Sequence, residues 1–154
     1  MIPVGRIDSR SAEATEAAGA GLASRVRNGD IVLLEGDLAA GKTTFVRGLL
    51  GGLGGEPGDV SSPSFVVLQT YDCHARGITA LHHVDLYRLG EKIADLREIG
   101  IEEVLSDPST IVAVEWPKAS IARWFPADAR VWRVAITTED DDSRRIEITP
   151  PPDV

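Results

Sequence analysis

A chain that carries Gly36-Asp37-Leu38-Ala39-Ala40-Gly41-Lys42-Thr43 has little freedom in how it folds. These residues fit G-x-x-x-x-G-K-[ST], a loop whose backbone N–H groups wrap around nucleotide phosphates. Such a loop works between a buried strand and the first turn of a helix, where N–H groups and the helix dipole converge on negative charge. Both flanks comply. The apolar run Ile31-Val32-Leu33-Leu34 leads in, and the helix-competent Thr43-Thr44-Phe45-Val46-Arg47 leads out.

The rest of the chain narrows the class. A length of 154 residues suits one domain with a real core, and no run approaches a membrane span. The first residues, Met1-Ile2-Pro3-Val4-Gly5-Arg6, lack the basic-then-apolar plan of a signal peptide. Cys73 is the one cysteine, so an intramolecular disulfide is excluded, a bland thiol is the simplest reading, and a cytoplasmic location is expected. The net charge of -8 argues against a broad nucleic-acid footprint, which needs clustered Lys and Arg. An acidic protein that holds a polyphosphate must concentrate positive charge locally, and Lys42 with its helix N-terminus does so.

The segments alternate between helix and strand patterns. Residues from about 11 to 27 read as an Ala-rich helix that Ser9 or Ser11 could cap. Asn28-Gly29-Asp30 is a turn. The strand at 31–35, the loop and a helix to about Leu50 follow, and Gly51-Gly52-Leu53-Gly54-Gly55 ends that helix. Phe65 to Tyr71 and Ile78 to Val84 read as an antiparallel strand pair, and Glu91 to about Leu105 as one or two short helices. Ile111-Val112-Ala113-Val114 suits a central strand. Val131 to Thr137 and Arg145 to Ile148 alternate like a hairpin, turning at the solvated acidic run Glu139 to Ser143. Order is expected to end at Pro150-Pro151-Pro152, with a disordered tail over about 150–154. The expected fold is therefore α/β, a single P-loop NTPase-like domain over 1–154, with a central mostly parallel sheet, antiparallel strands and flanking helices.

Within such a loop Lys42 bridges the β- and γ-phosphates as a point charge. Thr43 offers its hydroxyl to Mg²⁺, Thr44 brings its N–H towards the α-phosphate, and Gly36 and Gly41 allow the turn and the close backbone approach. Mg²⁺ also takes carboxylate oxygen, directly or through water. Two acids end apolar runs: Asp85 after Ala80-Leu81-His82-His83-Val84, and Glu115 after Ile111-Val112-Ala113-Val114. In doubly wound sheets the carboxyl ends of strands face the ligand, so either acid is a candidate, and the Glu115 run has the cleaner Walker B form. A surface carboxylate at a strand end is the bland alternative. His82 and His83 point to opposite faces of a strand and cannot easily share an ion, although one could face the nucleotide. Trp116 could stack on a base or a partner, or simply fill core. The Ser61-Ser62-Pro63-Ser64-Phe65 segment has the small polar character of a loop near phosphate or a partner. There is no clear N-K-x-D motif for reading guanine, and no evident lid or acceptor segment of a small-molecule kinase.

Several segments together resemble one family. Gly36-Asp37-Leu38-Ala39-Ala40-Gly41-Lys42-Thr43-Thr44-Phe45 is similar to G-D-L-G-A-G-K-T-T-F, and Ser62-Pro63-Ser64-Phe65 to S-P-T-F. His83-Val84-Asp85-Leu86-Tyr87-Arg88-Leu89 resembles H-F-D-L-Y-R-L, Glu98-Ile99-Gly100-Ile101 the segment before the last core strand, and Val114-Glu115-Trp116-Pro117 the E-W-P signature. In this order, over about residues 30–120, they resemble the TsaE family, bacterial ATPases of tRNA threonylcarbamoyladenosine formation. The resemblance implies binding of ATP and Mg²⁺, slow hydrolysis, and action with TsaD and TsaB, which perform the transfer and hold the tRNA, so that tRNA is met only indirectly. It implies nucleotide contacts from Asp37, Leu38, Ala39, Ala40, Gly41, Lys42, Thr43, Thr44, Asp85 and Trp116, with Thr43 and Glu115 as metal ligands. Lys42 and Asp85 become the catalytic pair, Asp85 placing the attacking water. Ser62 to Phe65 becomes a switch-like loop. Thr15, Arg144 and Arg145 could contact adenine or phosphates. The chain departs from the pattern at Ala39, where Gly is usual and a positive φ would cost about 1 kcal/mol, at Ser64, which keeps the hydroxyl of Thr, and at Lys118. A small-molecule kinase and a nucleotide-gated interaction module without turnover are the competing readings.

Overall fold

The computed structural model describes residues 5–36, 41–60, 68–86, 100–117, 119–139 and 143–152. The elements are β1 (Gly5–Ser9), α1 (Ala12–Ala23), β2 (Ile31–Gly36), α2 (Lys42–Gly52), β3 (Leu68–Ala75), β4 (Ile78–Asp85), α3 (Ile101–Ser106), β5 (Thr110–Glu115), β6 (Val131–Thr138) and β7 (Arg144–Thr149). Short 3-10 turns occupy Pro57–Asp59 and Ala119–Trp124. One seven-stranded sheet runs in the order β1-β7-β6-β2-β5-β4-β3. Its centre, β6-β2-β5-β4, is parallel, and antiparallel strands flank it on both sides.

Strand period sorts the side chains into two cores. Val32, Leu34, Leu81, Ile111, Ala113, Trp132, Val134 and Ile136 face α1 and α2 with Leu22, Phe45 and Leu49. Ile31, Leu33, Val84, Val112 and Val114 face the other way, towards α3 and the 3-10 turn with its Ile121. β2 and β5 are apolar on both faces because both are covered, as expected of central parallel strands. The two helices meet backbone to backbone. A Cβ on Gly48 would stand 1.7 Å from the Glu16 carbonyl oxygen, so only glycine permits this approach.

Helix α1 starts where Ser11 accepts from the Ala14 N–H at 3.0 Å, so Ser11 rather than Ser9 is the cap. It ends at Ala23, earlier than the Ala-rich pattern to about residue 27 suggests. Arg76 supplies the reason, donating from Nη2 to the carbonyls of Ala23 at 2.7 Å and Val26 at 2.9 Å, which replaces further helical bonding. Arg76 and Gly77 have φ of 50° and 85° and form the tight turn of the β3–β4 hairpin.

Three elements lie outside the sequence reading, the three-residue 3-10 turn at Pro57–Asp59 among them. β1 is an edge strand of mixed polarity, Gly5-Arg6-Ile7-Asp8-Ser9, too short and too charged to announce itself. The turn at Ala119–Trp124 is a single short 3-10 piece without a helical period. Phe65 to Val67, Glu91 to Ile99 and most of the acidic turn near 139–143 fall outside the described residues.

Candidate functional site

The register of the parallel strands builds the site. Leu34 of β2 pairs with Glu115 of β5, and Glu115 pairs with Asp85 of β4, so three strands finish side by side. The ladder extends one residue further, with Trp116 N–H donating to Leu34 O at 3.2 Å and Leu86 N–H to Glu115 O at 3.1 Å. By strand parity the side chains of His83, Asp85 and Glu115 point to the α1–α2 face, where α2 begins, and Gly36 occupies a register position on that same face.

Helix α2 opens at Gly41, whose φ of 109° belongs to the left-handed region that favours glycine. Lys42 and Thr43 form its first turn. Lys42 is only 5% exposed, and its Nζ donates to Gly36 O at 2.5 Å. The same Nζ stands 3.9 Å from the centroid of the Trp116 ring. The lysine is thus folded back between a carbonyl and an aromatic face, a cation–π geometry that holds its charge within the site. Trp116 adopts φ of 56°, strained for a large side chain, and this bend carries the indole over the loop's lysine.

Glu115 is the second focus. It is 4% exposed and accepts at Oε2 from Thr43 Oγ1, 3.4 Å away, and from His83 Nε2 in a short contact. Asp85 lies beside it, half-buried, at the end of β4. Hydroxyl and carboxylate oxygens are hard donors suited to Mg²⁺. Among the described residues no group of three or more His, Cys, Asp or Glu could cage a metal alone. That donor set fits a cation completed by phosphate and water.

Of the residues read from sequence, the fold brings together Gly36, Gly41, Lys42, Thr43, Asp85, Glu115 and Trp116. Thr44 follows on the same helical turn. Asp37, Leu38, Ala39, Ala40, Ser62 to Phe65, Tyr87 to Leu89, Glu98 and Lys118 fall outside the described residues. Thr15 lies beside the loop, its methyl 3.5 Å from where a Gly41 Cβ would be, and its hydroxyl is 2.7 Å from Ser9 Oγ. Arg144 pairs with Ser9 at that end of the sheet, while Arg145 lies 3.1 Å from Glu147 and 3.6 Å from Glu139.

The sequence left open which of the two histidines could face a nucleotide. The structure sets His83, 1% exposed, against Glu115, while His82 faces the other way with its Nδ1 2.8 Å from Thr70 Oγ1. Strand parity from Asp85 would have made that choice. The folding of Lys42 onto Trp116 had no signal in the spacing, because it depends on the bend at residue 116. Burial pushes the Cys73 thiol above its ordinary pKa, with Asp72 adding to the effect, as befits an inert core thiol. Among the described residues no helix is long and apolar enough to cross a membrane.

A family model described as "Threonylcarbamoyl adenosine biosynthesis protein TsaE" matches residues 9–146. The chain is 40% identical over 130 residues to the tRNA threonylcarbamoyladenosine biosynthesis protein TsaE of Streptomyces coelicolor, covering 83% of this chain and 84% of that one. The protein of the same name from Nostoc sp. is 39% identical over 141 residues, covering 90% and 81%. That of Bacillus subtilis is 34% identical over 137 residues, covering 89% and 80%. Among solved structures, the crystal structure of YdiB from Bacillus subtilis superimposes with a TM-score of 0.71 at 27% identity, covering 99% of this chain and 89% of YdiB.

Proposed function

The chain belongs to the TsaE family of threonylcarbamoyl adenosine biosynthesis proteins, and we propose that it serves tRNA threonylcarbamoyladenosine formation as a slow, magnesium-dependent ATPase. One observation carries this reading: the Lys42–Thr43 helix start faces Glu115 and Asp85 across the ends of adjacent parallel strands. Lys42 leaves Gly36 O and Trp116 to meet the β- and γ-phosphates. Thr43 through its hydroxyl and Glu115 through its carboxylate hold Mg²⁺, which when bound neutralises charge on the phosphate oxygens. Asp85 accepts a hydrogen bond from the attacking water and orients it. TsaD and TsaB perform the transfer and hold the tRNA. The net charge of -8 supports that division, since this chain lacks the cationic excess that tRNA phosphates require.

Titration calorimetry tests the binding step. Lys42→Ala and Thr43→Ala should each weaken ATP–Mg²⁺ binding by about 100-fold or more, the loss of a charge-assisted contact or a metal ligand at a preorganised site. Unchanged affinity in both variants refutes the assignment. Pull-down with TsaD and TsaB, with and without ATP, tests the partnership, and the absence of a complex in every nucleotide state would sink it.

A further inference from the structure

We propose that His83 is a positioning residue: it donates from Nε2 to Glu115 Oε2 and thereby fixes that carboxylate as a magnesium ligand, a role that rests on the ATP–Mg²⁺ reading above. The two residues are diagonal neighbours across the β4–β5 ladder, His83 opposite Ala113 and Glu115 opposite Asp85. The His83 side chain has no solvent exposure and that of Glu115 has 5%. A carboxylate so far removed from water needs donors to replace hydration. Two donors converge on one of its oxygens, His83 Nε2 and Thr43 Oγ1. With its proton turned to Oε2, the Thr43 hydroxyl keeps its oxygen lone pairs for a cation. A Glu side chain otherwise loses rotamer freedom whenever it binds a metal, and the histidine removes that freedom beforehand.

The other ring nitrogen strengthens the case. His83 Nδ1 is buried and has no hydrogen-bond partner among the described residues. A core histidine kept only to satisfy the fold would be expected to use both nitrogens. Among the described residues this ring uses one, on the carboxylate, and rests its body near Tyr71 at 6.2 Å between ring centroids. A carboxylate oxygen can only accept, so in this contact Nε2 carries the proton. Hydrogen-bond partners of metal ligands typically govern metal affinity by 10- to 100-fold.

The test uses the full chain with His83→Leu, which keeps bulk without a donor, and His83→Gln, whose amide N–H reaches the Nε2 position. ATP affinity is measured by calorimetry in EDTA and across a magnesium series, with Mn²⁺ paramagnetic resonance as a direct metal readout. Metal-free ATP affinity should stay within about twofold of wild type in both variants. The metal midpoint should rise about tenfold in His83→Leu and recover to within about threefold in His83→Gln. A wild-type midpoint in His83→Leu overturns the proposal, and so does a His83→Gln variant as impaired as His83→Leu. Nitrogen NMR of the wild-type imidazole gives an arm independent of folding defects. It should find Nε2 protonated, and a bare Nε2 overturns the proposal. If wild type shows no magnesium dependence of ATP binding, the ATP–Mg²⁺ reading itself falls and takes this role with it. If wild type shows that dependence and His83→Leu matches it, only the positioning role falls.

Discussion

Two buried carboxylates sit at opposite ends of the central sheet, and they are treated differently. Asp30, at the entry to β2, is 1% exposed. Its Oδ1 accepts from Arg130 Nε at 2.9 Å, and its Oδ2 accepts from Arg27 N–H at 2.8 Å and from Trp132 Nε1 at 2.9 Å. Both oxygens are engaged and an arginine balances the charge. Glu115, at the exit of β5, is nearly as buried, but its described donors both fall on Oε2, and the nearer partner is a histidine. Equal burial therefore says nothing about purpose. A carboxylate satisfied on both oxygens locks a fold, while one pinned through a single oxygen keeps acceptor capacity for a cation.

Removing each acid should separate the two ends. Asp30→Ala leaves Arg130 and the Trp132 N–H without their buried partner and should cost about 3–5 kcal/mol of stability, read by denaturant unfolding. The fraction that remains folded should bind ATP as wild type does. A loss of less than about 1 kcal/mol would mean that the entry end is no more of a lock than the exit end. Next in size, Asp85→Asn should keep ATP affinity and slow hydrolysis about 100-fold, the scale of a lost proton acceptor. Normal turnover in single-turnover assays would remove Asp85 from the role of orienting water.

Glu115→Gln is the direct counterpart of Asp30→Ala. Its stability should change by less than about 1 kcal/mol, because a neutral amide costs less to bury than a carboxylate. Its magnesium midpoint for ATP binding should rise by more than the about tenfold expected of His83→Leu, because a ligand itself rather than its hydrogen-bond partner is altered. An unchanged midpoint with a large loss of stability would put Glu115 in the same class as Asp30 and erase the contrast.

The exit end was far more legible in the sequence than the entry end. Its signals are contiguous: a loop motif of fixed spacing, Glu115 after four aliphatic residues, and Asp85 after the mixed run Ala80-Leu81-His82-His83-Val84. Such signals survive because strand ends and helix starts are local events. Asp30 read only as part of a turn, since Arg130 and Trp132 lie 100 and 102 residues away and no periodicity links them to it. Edge strand β1 was silent for a related reason: its partner is β7, near the other end of the chain, and its alternating charges carry little apolar signal. The folding of Lys42 onto Trp116 depends on a positive φ that no residue type announces.

The smallest effect concerns faces rather than ends. His82 and His83 are adjacent on β4, yet His83 joins the site while His82 turns to the opposite face, beside Thr70. Burial lowers the His82 pKa below its ordinary value of 6.5, and Asp107 opposes this more weakly. The unfolded chain therefore binds the His82 proton more readily than the folded one. Its contribution favours folding fully above about pH 6.5 and declines as the pH falls through that value towards the lowered folded pKa. His82→Asn, which keeps a hydrogen-bonding group near Nδ1, should flatten this part of the stability-against-pH curve. At pH 7.5 it should leave the magnesium midpoint for ATP binding unchanged. A shifted midpoint would show that the two faces of β4 are coupled, and that the exit site extends through the sheet rather than lying on its α1–α2 face.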